Sequence, residues 1–136
     1  MNDSFGSNRR TTSVPSARGR RLTGLRGEEA AASYLQSLGL VIVERNWRCR
    51  SGEIDLIALE EAVLVFVEVR SRSSTNRFGT AIEAITPRKC RQVRDIASIY
   101  MRMKGESNRS VRFDAVAVTF SADGEVAEIK HIPGAF

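Results

Sequence analysis

Hydrophobic positions along this chain change period several times, and each change marks a predicted element. Leu25, Ala31, Ala32, Tyr34, Leu35 and Leu38 recur at helical spacing. With Thr23 as a candidate N-cap and Gly39 as a stop, they predict a helix over about residues 24–38. LVIVERNW, 40–47, reads as a strand, and EIDLIAL, 53–59, as a second after a turn around Arg50–Gly52. AVLVFVEVRS, 62–71, is a third, and its nearly unbroken apolar run from 62 to 67 predicts cover on both faces. A polar loop from Ser73 to Gly79 follows. Thr86–Pro87 then starts a helix, threonine as N-cap and proline at the first helical position, which is predicted to run to about Met103 with Gly105 as its stop. VRFDAVAVTF, 111–120, predicts a buried fourth strand, Asp123–Gly124 a hairpin, and EVAEIKHI, 125–132, an edge strand. The order α-β-β-β-α-β-β predicts an α/β (α+β) domain with a mixed sheet of about five strands.

Length and composition narrow the picture. With 136 residues and no internal repeat, one domain is expected. The net charge of +5 is unevenly placed, because residues 1–22 hold Arg9, Arg10, Arg18, Arg20 and Arg21 against Asp3 alone. That segment, rich in Ser, Thr, Gly and Arg, is expected to be a disordered basic tail ahead of a folded domain spanning 23–136. Its arginines would either screen phosphates in a nucleic-acid complex or simply confer solubility. No apolar run approaches the ~20 residues of a membrane span, and no signal-peptide pattern opens the chain, so a soluble cytoplasmic protein is expected. Cys49, Cys90 and His131 are too few and too scattered for a structural zinc site, and free thiols are a simpler reading than a disulfide.

The chemistry lies on the second and third strands. By alternation Glu53, Asp55, Ile57 and Leu59 share one face of the second, and Leu64, Phe66, Glu68 and Arg70 one face of the third. A two-residue turn at Glu61–Ala62 would pair Leu59 with Leu64, Ile57 with Phe66, Asp55 with Glu68 and Glu53 with Arg70. Directly opposed carboxylates repel. A hard divalent cation such as Mg²⁺ between them would remove that repulsion and suit phosphoester hydrolysis. Ion pairing with Arg70, and of Glu53, without any metal is the other explanation. Glu28 falls on the helix arc of Ala31, Ala32 and Leu35, which faces the sheet, whereas Glu29 points to water. Glu28 is either a third acid of the site or a carboxylate favouring the helix start.

These segments resemble a known family. GLRGEEAAASYLQSLGLVIVERNWR, SGEIDLIAL and LVFVEVRSR, followed by AIEAITPRKCRQVRDIASIYM, RFDAVAV and HIPGAF, resemble the bacterial YraN family of predicted endonucleases over about residues 22–136. That family is similar to the PD-(D/E)XK nucleases, Holliday-junction resolvases among them. The resemblance implies a restriction-endonuclease-like fold and a Mg²⁺- or Mn²⁺-dependent endonuclease acting on DNA, with branched or structured DNA as its substrate and a homodimer as its working form. It assigns Asp55, Glu68 and Glu28 to the metal and Arg70 to the motif's lysine position. Arginine holds its charge too tightly to act as a base. A weakly active or inactive nucleic-acid-binding module with a nuclease fold is therefore the alternative. Lys89, on the core arc at the start of the second helix, is either a substitute for the missing lysine or a lysine snorkelling from the core's rim.

Candidate DNA contacts are Arg88, Lys89, Arg91 and Arg94 on the second helix, where Arg102 extends the same polar arc, and Arg48 and Trp47 in a basic cluster with Arg45 and Arg50. A solvated charged face would explain the arginines equally, and a cap on the core would explain Trp47. Asp114, in an otherwise apolar strand, is expected to pair with Arg112 or a neighbour, and His131 to have a structural or surface role.

Overall fold

The computed structural model describes residues 17–74 and 86–136, with 17–21 described as helix backbone only. Residues 1–16 of the expected tail and most of the expected 73–79 loop lie outside the described residues. The elements run α1 (Ala17–Ser37), β1 (Val41–Cys49), β2 (Gly52–Glu60), β3 (Val63–Ser73), α2 (Pro87–Lys104), β4 (Val111–Phe120) and β5 (Val126–Ile132). They form an α+β fold with one mixed sheet in the order β1-β2-β3-β4-β5. Only β3 and β4 are parallel, joined by the crossover that contains α2.

Each helix covers one face of the sheet. Ala31, Ala32 and Leu35 of α1 pack on Leu56, Ala58, Val65, Val67, Val69, Val116 and Val118. Val93, Ile96, Ala97 and Tyr100 of α2 pack on Ile54, Ile57, Leu64, Phe66 and Phe113. β3, buried on both sides from Leu64 to Val69, is the middle of this sandwich, as its apolar run predicts. Burying a side chain such as Leu35, Phe66 or Ile96 contributes about 1.5–3 kcal/mol.

The boundaries of α2 follow from its caps. Thr86 Oγ1 accepts the Lys89 N–H at 3.1 Å, Pro87 opens the helix, and Gly105 closes it in the left-handed region at φ 68°. The start of α1 departs from expectation. Thr23 is not its N-cap but an interior residue, and the boundary expected between 22 and 23 falls inside a continuous helix that begins at Ala17. Residues 22–26 of α1 are exposed or half-exposed, and its core-facing arc starts at Gly27 among the described side chains. Leu25 and Leu38, assigned to the core arc from spacing, are half-exposed. Gly27 lies where α1 crosses β3, and a Cβ there would fall 2.9 Å from Ser71 Cβ and closer still to its Oγ.

The β2–β3 hairpin has the register inferred from pattern. Leu59 pairs with Leu64, Ile57 with Phe66, and Glu60 with Val63 across a two-residue turn. Glu61 takes φ 55° there, so matching apolar faces outweigh unfavourable turn chemistry.

Candidate active site

The β2–β3 ladder ends at Leu56↔Val67, one step short of the two acids. The alternation of β2 breaks at the same place. Leu56 packs under α1, whereas Ile54 packs under α2 together with Ile57. The expected shared face of Glu53, Asp55, Ile57 and Leu59 is thus interrupted. The same switch occurs on β1, where Arg45 pairs with Glu29 of α1 but Trp47 packs under α2. Between them Asn46 takes φ 50°, a left-handed conformation that asparagine tolerates better than most residues. The β1–β2 ribbon therefore twists locally at Asn46 and Asp55.

This twist places Asp55 at the end of the ladder, where its Oδ2 accepts the Val69 N–H at 2.8 Å. The carboxylate takes the place of a backbone acceptor. Burial pushes the Asp55 carboxyl up from about 3.8 to about 7, and the charge of Glu68 adds to the rise. Glu28 acts in the same direction, while the Val69 N–H and Arg70 oppose it. The two acids are thus close electrostatic neighbours, although they do not face each other as a cross-strand pair.

Glu68 is 1% exposed, and neither of its side-chain oxygens has a hydrogen-bond partner among the described residues. Its Oε1 lies 3.5 Å from Arg70 Nη1 and 3.5 Å from Lys89 Nζ. Those distances are ion pairs rather than hydrogen bonds, since charge-assisted N–H···O bonds run at ~2.7–2.9 Å. Burial raises the Glu68 carboxyl and Glu53 adds to the rise, with Lys89 and Arg70 pulling it down. Lys89 thus reaches toward the acid from the first turn of α2 while its side chain stays partly exposed. Arg70 also donates to the Val69 carbonyl at 3.1 Å, which ties its head group to the strand.

Other expected residues lie at varying distances from this centre. Glu28 accepts from Asn46 Nδ2 at 2.9 Å, and Glu29 forms an exposed pair with Arg45 at 2.6 Å. Among the described residues no group of three His, Cys, Asp or Glu side chains converges to hold a metal, so Glu28 does not complete a triad with Asp55 and Glu68. The expected Glu53–Arg70 pairing is absent, and Glu53 lies 3.7 Å from Arg48 instead. Arg88 and Arg91 are exposed on α2. The Arg94 guanidinium sits 4.6 Å from the centre of the Phe113 ring, which holds it against the protein. Trp47 packs edge-on against Tyr100 at 5.0 Å, a cap on the core rather than a free stacking platform. Asp114, fully buried, accepts from Arg112 Nε and Nη2 at 2.8 and 2.9 Å and from the Gly134 N–H at 3.0 Å, and lies 2.8 Å from His131 Nε2. It belongs to a structural network.

Asn46 and Gln92 carry positioning roles that spacing did not single out. Gln92 Nε2 donates to the Ser51 carbonyl at 3.1 Å and docks α2 on the β1–β2 turn. Gly52, at φ 138°, makes room for it, since a Cβ there would lie 2.7 Å from Gln92 Nε2. The unfavourable αL preference of most residues and the glycine at the turn are the only sequence signals for either contact.

Fold and site together define an α+β domain in which a mixed sheet opens beside a buried acid and a half-buried one, flanked by an arginine and a lysine. The chain belongs to the family described as "Uncharacterised protein family UPF0102", also called YraN, whose sequence profile matches residues 27–118. A UPF0102 protein of Pelotomaculum thermopropionicum is 45% identical over 117 residues, covering 86% of this chain and 97% of the relative. One of Desulforamulus reducens is 45% identical over 118 residues, covering 85% and 96%. One of Mycolicibacterium gilvum is 44% identical over 113 residues, covering 82% and 90%.

Proposed function

We propose that this protein is a metal-dependent endonuclease that hydrolyses DNA phosphodiester bonds, with Asp55 and Glu68 as its central acids. The observation that carries the reading is the Glu68 carboxylate, buried beside a second acid with no hydrogen bond to either oxygen. Buried polar groups are normally hydrogen-bonded, and a buried carboxylate beside a second, half-buried acid is costly unless positive charge offsets it. Their oxygen donors fit Mg²⁺ or Mn²⁺, cations that accept one or two carboxylates and complete their shell with water and phosphate oxygens. Two protein acids rather than three suit that habit. When bound, such an ion supplies Lewis acidity to a phosphoryl oxygen and acidifies water.

The chain's own residues do the rest. The Val69 N–H orients Asp55, Asn46 holds Glu28, and Arg70 places a permanent charge beside the scissile phosphate. Arg88, Arg91 and Arg48 offer exposed charge for neighbouring phosphates, contacts that position a strand without reading its sequence. Branched or structured DNA is the proposed substrate, the cytoplasm the proposed location and a homodimer the form suited to cutting two strands. Among the described residues no helix is long and apolar enough to cross a membrane.

The test is nicking of supercoiled and branched DNA with Mn²⁺ or with EDTA. Cleavage should require the metal and disappear in Asp55→Ala; cleavage that survives in that variant overturns the assignment. A second reading, a DNA-binding module without cleavage, draws on the two cations that already face Glu68 without a metal. Tight binding with no nicking, unchanged in Arg70→Lys, would favour it.

A further inference from the structure

Two cations of different kinds share one oxygen of Glu68, and their anchoring differs. Arg70 comes from the same strand and is fastened to the Val69 carbonyl. Lys89 comes from α2, is 27% exposed, and lies at 3.5 Å, beyond hydrogen-bonding contact with the acid. Its backbone is fixed by the Thr86 cap and by the Gln92–Ser51 bond, so what is free to move is the flexible side chain and its ammonium group.

Charge balance gives that freedom a use. Asp55 and Glu68, when ionised, carry two negative charges that Lys89 and Arg70 offset. Nearby Glu53 is paired with Arg48, and Glu28, hydrogen-bonded to the neutral Asn46, adds a further negative charge at the edge of the site. A divalent cation on the two acids would deprive the lysine and arginine of these acid partners in a half-buried setting, with only the charge of Glu28 nearby to offset them. Such a pair attracts an anion, and the anion that suits it is a phosphodiester.

Resting on the nuclease reading, we propose that Lys89 is the site's transferable counter-ion. It pairs with Glu68 in the metal-free protein and passes to a phosphate oxygen of DNA once a divalent cation neutralises that acid. Arg70 stays on the sheet. Two consequences follow. Lys89 competes with the cation for Glu68, and it couples cation binding to phosphate binding.

Both are measurable without turnover. Calorimetric titration of Mn²⁺ should show several-fold tighter binding in Lys89→Gln than in the natural protein, since a competing charge is gone, and loss of binding in Glu68→Gln. Affinity for a short DNA duplex should improve about tenfold when Ca²⁺ is added to the natural protein, and less than threefold in Lys89→Gln. Circular dichroism establishes that each variant is folded. Equal Mn²⁺ affinity in the natural protein and Lys89→Gln, or an equal Ca²⁺ gain in both, overturns the proposal and leaves the nuclease reading intact. Mn²⁺ binding that is absent from the natural protein, or unaffected by Glu68→Gln, overturns both.

Discussion

Replacing Asp55 by asparagine should make the metal-free protein more stable, and the gain should depend on pH in a defined way. Asparagine is nearly isosteric, and its side-chain carbonyl can still accept the Val69 N–H that Asp55 Oδ2 accepts at 2.8 Å. What the substitution removes is a charge that burial and Glu68 both disfavour. The carboxyl is pushed from about 3.8 to about 7 on folding. At ~1.4 kcal/mol per tenfold change in proton affinity, that interval corresponds to about 4 kcal/mol. The folded acid holds its proton over a range where the unfolded chain has lost it. Stability of the natural protein should therefore fall as pH rises from about 4 to 7, by ~1.4 kcal/mol per pH unit, and level off above. Asp55→Asn lacks this loss. Urea unfolding in EDTA at pH 4, 5, 6, 7 and 8 measures the difference directly. The variant should gain on the natural protein through that window and lead by several kcal/mol at pH 8. A variant no more stable at pH 8, or a difference that stays flat with pH, would refute the claim that Asp55 is an energetically strained acid.

Further predictions concern the scaffold. Gly27→Ala should destabilise the protein by about 1–3 kcal/mol in urea titration despite alanine's better helix propensity, because its Cβ collides with Ser71, and Ser71→Gly should restore most of the loss. Asp114→Asn should cost about 1–3 kcal/mol by removing the buried charge that Arg112 and His131 face, although Arg112 keeps its pair with Glu60. Burial works against the Asp114 charge, but hydrogen bonds from Arg112, His131 and the Gly134 N–H outweigh it and hold the carboxyl below its ordinary value. That stabilisation is present above the carboxyl's ordinary value near 3.8 and is lost as pH falls through the lower folded value, so acid unfolding of Asp114→Asn should lack this component. Thr86→Ala should lower stability by about 1 kcal/mol through loss of the cap on the Lys89 N–H, as thermal unfolding would show.

Much of this protein was determined by its sequence alone, wherever the deciding interactions are local or repeat with a fixed period. Thr86, Pro87 and Gly105 bound α2 because capping is a matter of adjacent residues. The alternation of the hairpin set its register, since a slip of one residue would turn Phe66 and Leu64 out of the core. The acids at 55 and 68 stood out as charges within largely apolar runs, although the alternation that set the register does not extend to them. Tertiary structure decided what those acids meet. The local twist at Asn46 and Asp55, which ends the ladder and turns Asp55 onto the Val69 N–H, has no periodic signature and shows only once β1 and β2 are paired. The start of α1 at Ala17 was hidden because its first turns carry no apolar stripe to announce them. Lys89 stands beside Glu68 only because α2 docks on the β1–β2 turn through Gln92 and Gly52. Such placements depend on how whole elements cross, a relation between distant segments that no spacing within one segment records.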